Sequence, residues 1–330
     1  MQKRSIGPFQ IGEIALGCMN LNHAYGPPVS DAEAERVLVG ALDLGVDHFD
    51  TAALYGGGLN EELVGRILSP HRQRFMLASK CGMTAINGKR VIDGRPATLR
   101  QTCEQALRSL RTDVIDLYYL HRWDRAVPVE ESVGAMADLI REGKIRGIGL
   151  SEVSAATLRR AHAEHPIIAV QTEYSLWTRN AEVAVLDACR ELGTAFVAFS
   201  PLGRGFLAGG VPDPTALRPQ DIRRTMPRFV EPNFSANQAL LTDFATLARE
   251  AGASMAQLAL AWLLHQAPHI IALPGTTSLE HLTDDVGASG LNLSADVLAR
   301  AGALFAPANI HGPRYNDAAQ ADVDTEELPA

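Results

Sequence analysis

Short apolar, β-branched runs alternate along the chain with longer segments whose apolar residues recur every three or four positions. The first pattern predicts strands at residues 14–17, 48–50, 75–80, 114–121, 145–151, 169–173, 195–200 and 270–274. The second predicts helices, with one stripe at Leu99, Cys103, Leu107 and Leu110. Another runs through Val129, Val133, Met136 and Ile140, and a third through Leu240, Phe244, Leu247 and Ala251. Gly45, Gly143, Gly193 and Gly252 each fall just past such a segment, where a helix ends easily in a left-handed residue. Strict alternation of strand and helix implies a parallel sheet, and eight strands imply an α/β fold of the (β/α)8 TIM barrel type with the helices outside.

Two irregular stretches interrupt the alternation. Residues 4–11 carry Gly7-Pro8 between short extended pieces and read as an N-terminal hairpin placed to plug the barrel floor. Residues 203–236 hold Pro212, Pro214, Pro219, Pro227 and Pro232 and read as a long, mobile lid loop after strand seven. The tail from about residue 307 has no apolar period and is expected to be irregular and frayed. No domain boundary is apparent, so residues 1–330 read as one barrel domain.

Composition narrows the classes. Thirty basic against thirty-eight acidic residues leave a net charge of −8 with no basic block, which argues against a nucleic-acid partner. The four cysteines, Cys18, Cys81, Cys103 and Cys189, lie far apart and fit buried thiols better than zinc ligands or disulfides. No uncharged run approaches a membrane span and no signal-like apolar stretch follows Met1, so the expectation is a soluble cytoplasmic protein without a membrane partner. The oligomeric state is not readable.

In a barrel of this kind chemistry sits where strands end and βα loops begin. Asp50, Lys80 and His121 close strands two, three and four, and Tyr55 lies five residues beyond Asp50. A tyrosine, with a pKa near 10, exchanges protons poorly at neutrality. A lysine beside it lowers that value, and Asp50 keeps the lysine charged. With His121 pointing an N–H at a substrate oxygen, the set suits polarising a carbonyl and protonating the alkoxide formed when a cofactor delivers hydride. Any one of these residues alone reads as structural; four at consecutive strand ends do not. No metal is needed: His162 and His165 have no evident third ligand. Gly203-Arg204-Gly205-Phe206-Leu207-Ala208 matches a dinucleotide fingerprint formally, but a proline-rich stretch follows in place of the required helix, so a Rossmann domain is rejected.

Ordered motifs run nearly the whole length: Phe49-Asp50-Thr51-Ala52, Leu54-Tyr55-Gly56, Asn60-Glu61-Glu62-Leu63-Val64-Gly65, Ser79-Lys80 and Asp116-Leu117-Tyr118-Tyr119-Leu120-His121. They continue through Gly147-Ile148-Gly149-Leu150-Ser151, Gln171-Thr172-Glu173-Tyr174, Ser200-Pro201-Leu202-Gly203-Arg204-Gly205 and Pro274-Gly275-Thr276. In these the chain resembles the aldo-keto reductase family, which implies reduction of an aldehyde or ketone by NADPH, with NADH possible. The resemblance implies a catalytic set of Asp50, Tyr55, Lys80 and His121, with Tyr55 the general acid. It implies that Ser151 and Gln171 hold the cofactor carboxamide, that Phe199 stacks on the nicotinamide, and that Ser200, Pro201, Leu202, Gly203 and Arg204 wrap the pyrophosphate. Gly275, Thr276, Thr277 and His281 would follow at the 2′-phosphate end and Asp285 at the adenine, with Met19 completing the set. Tyr25, Leu54 and Trp123 are the candidate substrate contacts.

The chain departs from the family pattern at three points. His281 stands near a position where an arginine is frequent, Asp284-Asp285 stand where an acid and an asparagine are frequent, and Glu152 stands where asparagine is frequent. Two competing readings are an aldolase using Lys80 as a Schiff base, and a cofactor-binding regulatory subunit with little turnover, as in the potassium-channel beta subunits that resemble this family.

Overall fold

The structure is a computed structural model that describes residues 1–86, 89–211 and 213–328. Eight parallel strands form one sheet: Leu16–Gly17, His48–Asp50, Met76–Cys81, Leu117–Leu120, Ile148–Ser151, Ile167–Glu173, Ala195–Phe199 and Ile270–Leu273. They follow one another in chain order around the sheet. The barrel closes through a parallel bridge between Ile14 and Ala272 and through the Ala15 and Gly17 amides, which donate to the Ala272 and Pro274 carbonyls. Helices Asp31–Asp43, Leu59–Leu68, Pro96–Leu110, Val129–Arg141, Ala155–Glu164, Val185–Leu192, Met255–Gln266 and Leu279–Gly287 connect or follow the strands.

Two cores result from this arrangement. The apolar helix stripes pack on the outer face of the sheet, burying Leu99, Cys103, Val133 and Met136 completely. Inside the barrel, Ala15, Met76, Ala78, Leu117, Tyr119, Ala169, Val197 and Ile271 form a second cluster. The N-terminal hairpin, Lys3–Ile6 paired with Phe9–Gly12, closes its floor with Ile6 and Ile11, side chains worth roughly 1.5–3 kcal/mol each when fully buried. All four cysteines are buried free thiols. Among the described residues, no helix is long and apolar enough to cross a membrane.

Three segments differ from the sequence expectations. A second hairpin, Met83–Ile86 with Lys89–Ile92, follows the third barrel strand and was not anticipated. The lid is not one irregular loop: it winds through 3-10 turns at Gly203–Ala208, Pro214–Ala216, Ile222–Thr225 and Pro227–Phe229 into the short helix Asn233–Gln238. The tail is docked rather than frayed. Arg314 pairs with the buried Glu152 at 2.6 Å, the Asp324 carboxylate accepts from Ser154 and Thr157, and Val323 offers its carbonyl to Arg125. A tail poor in apolar residues holds by charge, which is why apolar periodicity did not reveal it.

Candidate active site

The strands end together at one mouth, and the segments just beyond them carry the reactive side chains. The Tyr55 turn is held by Asn60, which donates to the Cys18 carbonyl (2.9 Å) and Asn22 (2.6 Å) and accepts from Thr51 (2.6 Å). Gly56 and Gly57 take left-handed backbone angles immediately after the tyrosine, which lets the chain fold back into the helix at Leu59. His121 is fixed by its own amide, which donates to the Cys81 carbonyl at 2.9 Å.

Lys80 Nζ lies at the centre, donating to Asp50 Oδ1, to the Thr51 carbonyl at 2.9 Å and to the Tyr55 hydroxyl at 3.1 Å. Gln171 donates to the other Asp50 oxygen at 2.8 Å. Burial works against charge on Lys80, but Asp50 and Tyr55 outweigh it and raise its pKa, so the ammonium persists. Burial pushes the Tyr55 phenol up while Lys80 pulls it down, and burial prevails. The expectation that Lys80 would bring the phenol below its ordinary value is therefore corrected for the free protein. Burial, then the positive charges of Arg122, Lys80, His23 and Arg90, hold His121 well below the ordinary imidazole range, so its ring is neutral. Its Nδ1 is buried without a partner, leaving Nε2 as the nitrogen open to the cavity. The Tyr55 and His121 rings meet edge-on at 5.8 Å.

Above these groups a cavity of about 1280 Å³ opens, larger than the roughly 300–1,000 Å³ typical of a small-ligand pocket. It runs from Tyr55 and His121, past Ser151, Gln171 and Phe199, along the 200–205 and 274–277 segments, to Ser254, His281 and Asp285.

This arrangement can be set beside known proteins. Residues 13–304 match the model of the Aldo/keto reductase family. The chain is 40% identical over 314 residues to a probable aldo-keto reductase 1 of Glycine max, covering 93% of this chain and 89% of that protein. The chain belongs to the aldo/keto reductase family. Solved structures of similar shape include a glycerol dehydrogenase from Gluconobacter oxydans, with TM-score 0.85, 29% identity and coverage of 93% and 95% of the two chains. Another is an aldo/keto reductase from Klebsiella pneumoniae in complex with NADP and acetate, with TM-score 0.73, 26% identity and coverage of 96% and 99%.

In this aldo/keto reductase most of the side chains singled out in the sequence face one space. Asp50, Tyr55 and His121 line the cavity, with Lys80 directly beneath. Met19, Ser151, Gln171, Phe199, Ser200, Pro201, Leu202, Arg204, Gly275, Thr276, Thr277, His281 and Asp285 line it too, as do Tyr25 and Leu54. Gly275 is closely packed: a Cβ there would meet Asn20 Oδ1 at 2.8 Å and the Gly17 carbonyl at 3.2 Å, so Asn20 would have to move.

Three of the expectations are corrected. Trp123 does not line the cavity: its indole donates to the Val127 carbonyl at 3.0 Å and lies under the Arg160 guanidinium. Gly203 sits behind the lining against the Trp177 ring. Arg204 reaches the cavity, but its charge is already met by Glu173 at 2.8 Å, with the Tyr25 and Tyr315 hydroxyls at 3.3 Å. It is not the free phosphate cation expected of it.

Sequence reasoning missed several lining residues. His23 stacks on Tyr55 at 5.8 Å, Arg122 reaches Ser151 Oγ at 3.2 Å, Met83 and Arg90 come from the second hairpin, and Tyr315 comes from the tail. The hairpin left a faint signal in the sequence alone, the Asn87-Gly88 pair, a dipeptide common in tight turns, which lies outside the described residues. The tail contributions left none.

Proposed function

We propose that this protein reduces an aldehyde or ketone to the alcohol with a reduced nicotinamide dinucleotide, Tyr55 giving the proton. The observation that carries this reading is the Lys80 Nζ to Tyr55 hydroxyl contact at 3.1 Å at the foot of a cavity of about 1280 Å³, roomy enough for a dinucleotide and a small substrate. The cradle fits such a cofactor: Ser151 and Gln171 offer carboxamide partners, Phe199 offers a flat face, and the 200–205 and 274–277 backbones offer a groove for the pyrophosphate. When bound, the nicotinamide supplies hydride to the carbonyl carbon. His121, neutral, donates its Nε2 hydrogen to the carbonyl oxygen and so fixes the substrate. Tyr55 passes its proton to the alkoxide, Lys80 stabilises the phenolate left behind, and a proton from solvent restores the phenol.

The charged state of Lys80 opposes a Schiff-base aldolase, which needs a free amine. The substrate end of the cavity is walled by Leu54, Met83, Ala85 and Met226 and edged by Tyr25 and Arg122, which suits a carbonyl compound with an apolar body. The test is calorimetric titration with reduced nicotinamide dinucleotides followed by a panel of aldehydes and ketones. Saturable binding and carbonyl-dependent loss of cofactor absorbance at 1:1 stoichiometry with alcohol are expected. Binding without oxidation across the panel would favour a regulatory subunit, and absence of binding would end the reading.

A further inference from the structure

We infer that the far end of the cavity selects a dinucleotide whose adenosine ribose carries a free 2′-hydroxyl, NADH, and rejects the 2′-phosphorylated form. The inference rests on the reading above, since it assumes that a nicotinamide dinucleotide fills the cavity with its reactive ring at Tyr55. The middle of the cavity is then taken by the pyrophosphate, and the adenosine falls among Ser254, Met255, His281, Asp284 and Asp285.

That end disfavours a phosphate. Asp285 is only 3% exposed, lines the cavity and has no hydrogen-bond partner among the described residues; burial and the neighbouring Asp284 push its carboxyl up to about 7, a sign of how strongly this end resists negative charge. Asp284 adjoins it, held by the Ser254 hydroxyl at 2.6 Å. An unpartnered buried carboxylate needs a donor; ribose hydroxyls or the adenine amine bring donors, whereas a 2′-phosphate brings more negative charge and removes one.

Cations that might offset this are already engaged. Arg204 is paired with Glu173, and Arg223 makes two bonds to Asp221 at 2.9 and 2.7 Å. Arg90 and Arg122 belong to the opposite end, near His121. His281 is the one basic side chain lining the adenosine end among the described residues, and an imidazole lacks the forked pair of donors with which a guanidinium grips a phosphate. The helix Met255–Gln266 starts here, and its capping box takes the Gln257 amide, bonded to Ser254 Oγ, and the Ser254 amide, bonded to Gln257, which leaves only the Met255 and Ala256 amides as donors.

The test is calorimetry on the full chain with NADH and NADPH separately, for the wild type, Asp285→Asn and His281→Arg, with melting curves to establish that each variant is folded. NADH is expected to bind at least tenfold more tightly, with the gap narrowing at high salt as the repulsion is screened. Both variants are expected to tighten NADPH binding severalfold. Wild-type affinity for NADPH equal to or greater than that for NADH overturns the inference and leaves the reductase reading intact. A preference unchanged in folded Asp285→Asn overturns the assignment to this carboxylate. Failure of the wild type to bind either nucleotide overturns the reductase reading itself.

Discussion

At the scale of single residues, the account turns on three groups, Tyr55, Lys80 and His121, whose surroundings push them apart. Because burial raises the Tyr55 phenol above its ordinary value, the proton needed for reduction is present throughout the neutral range. Reduction is therefore expected to hold level through neutral pH and fall only in the alkaline range. Alcohol oxidation, which needs the phenolate, is expected to rise over that same range; steady-state rates in both directions against pH check this. Lys80→Met removes the ammonium and leaves Asp50, 2% exposed, as an unpaired buried carboxylate. A loss of about 3–5 kcal/mol in urea unfolding is expected. The four reactive residues were legible because each closes or follows a strand whose apolar run is distinct. Trp123 and Arg204 were misread for a common reason. Sequence spacing places a residue near a mouth but does not show which neighbour satisfies it, here the Val127 carbonyl and Glu173.

At the scale of elements, the eight strands and the helix stripes were legible because the parallel sheet is buried on both faces and the helices on one. Their edges were less so: residues 114–116 and 145–147 have strand-like composition, yet only an isolated bridge between Ile115 and Ile145 joins them. Close packing of helices depends on single atoms that no pattern displays. A Cβ on Gly65, in the helix Leu59–Leu68, would come within 2.2 Å of the Ser109 carbonyl oxygen and 2.6 Å of Leu110 Cα. Backbone cannot yield as a side chain does, so Gly65→Ala is expected to destabilise by about 1–3 kcal/mol in denaturant unfolding, despite the higher helix propensity of alanine.

At the scale of the whole molecule, lid, tail and barrel are joined by one buried charge network. Glu152 and Glu173, at the ends of neighbouring strands, receive Arg314 from the tail and Arg204 from the segment after strand seven. Arg228 adds bonds to the carbonyls of Trp177 and Gly312. Glu152, whose place beside Ser151 left its role open in the sequence, thus serves the tail: its carboxylate accepts from Arg314 and from the Glu173 amide at 2.9 Å. Arg314→Ala leaves Glu152 buried and unpaired, with an expected cost of about 3–5 kcal/mol and faster proteolysis of the tail. The central claim, that Tyr55 is the proton donor of a carbonyl reductase, is tested most directly by Tyr55→Phe. Turnover of a good aldehyde substrate and calorimetric affinity for the reduced cofactor should be measured on one preparation. A fall in kcat of about 10²–10⁴-fold with cofactor affinity unchanged is predicted; turnover close to wild type would contradict it.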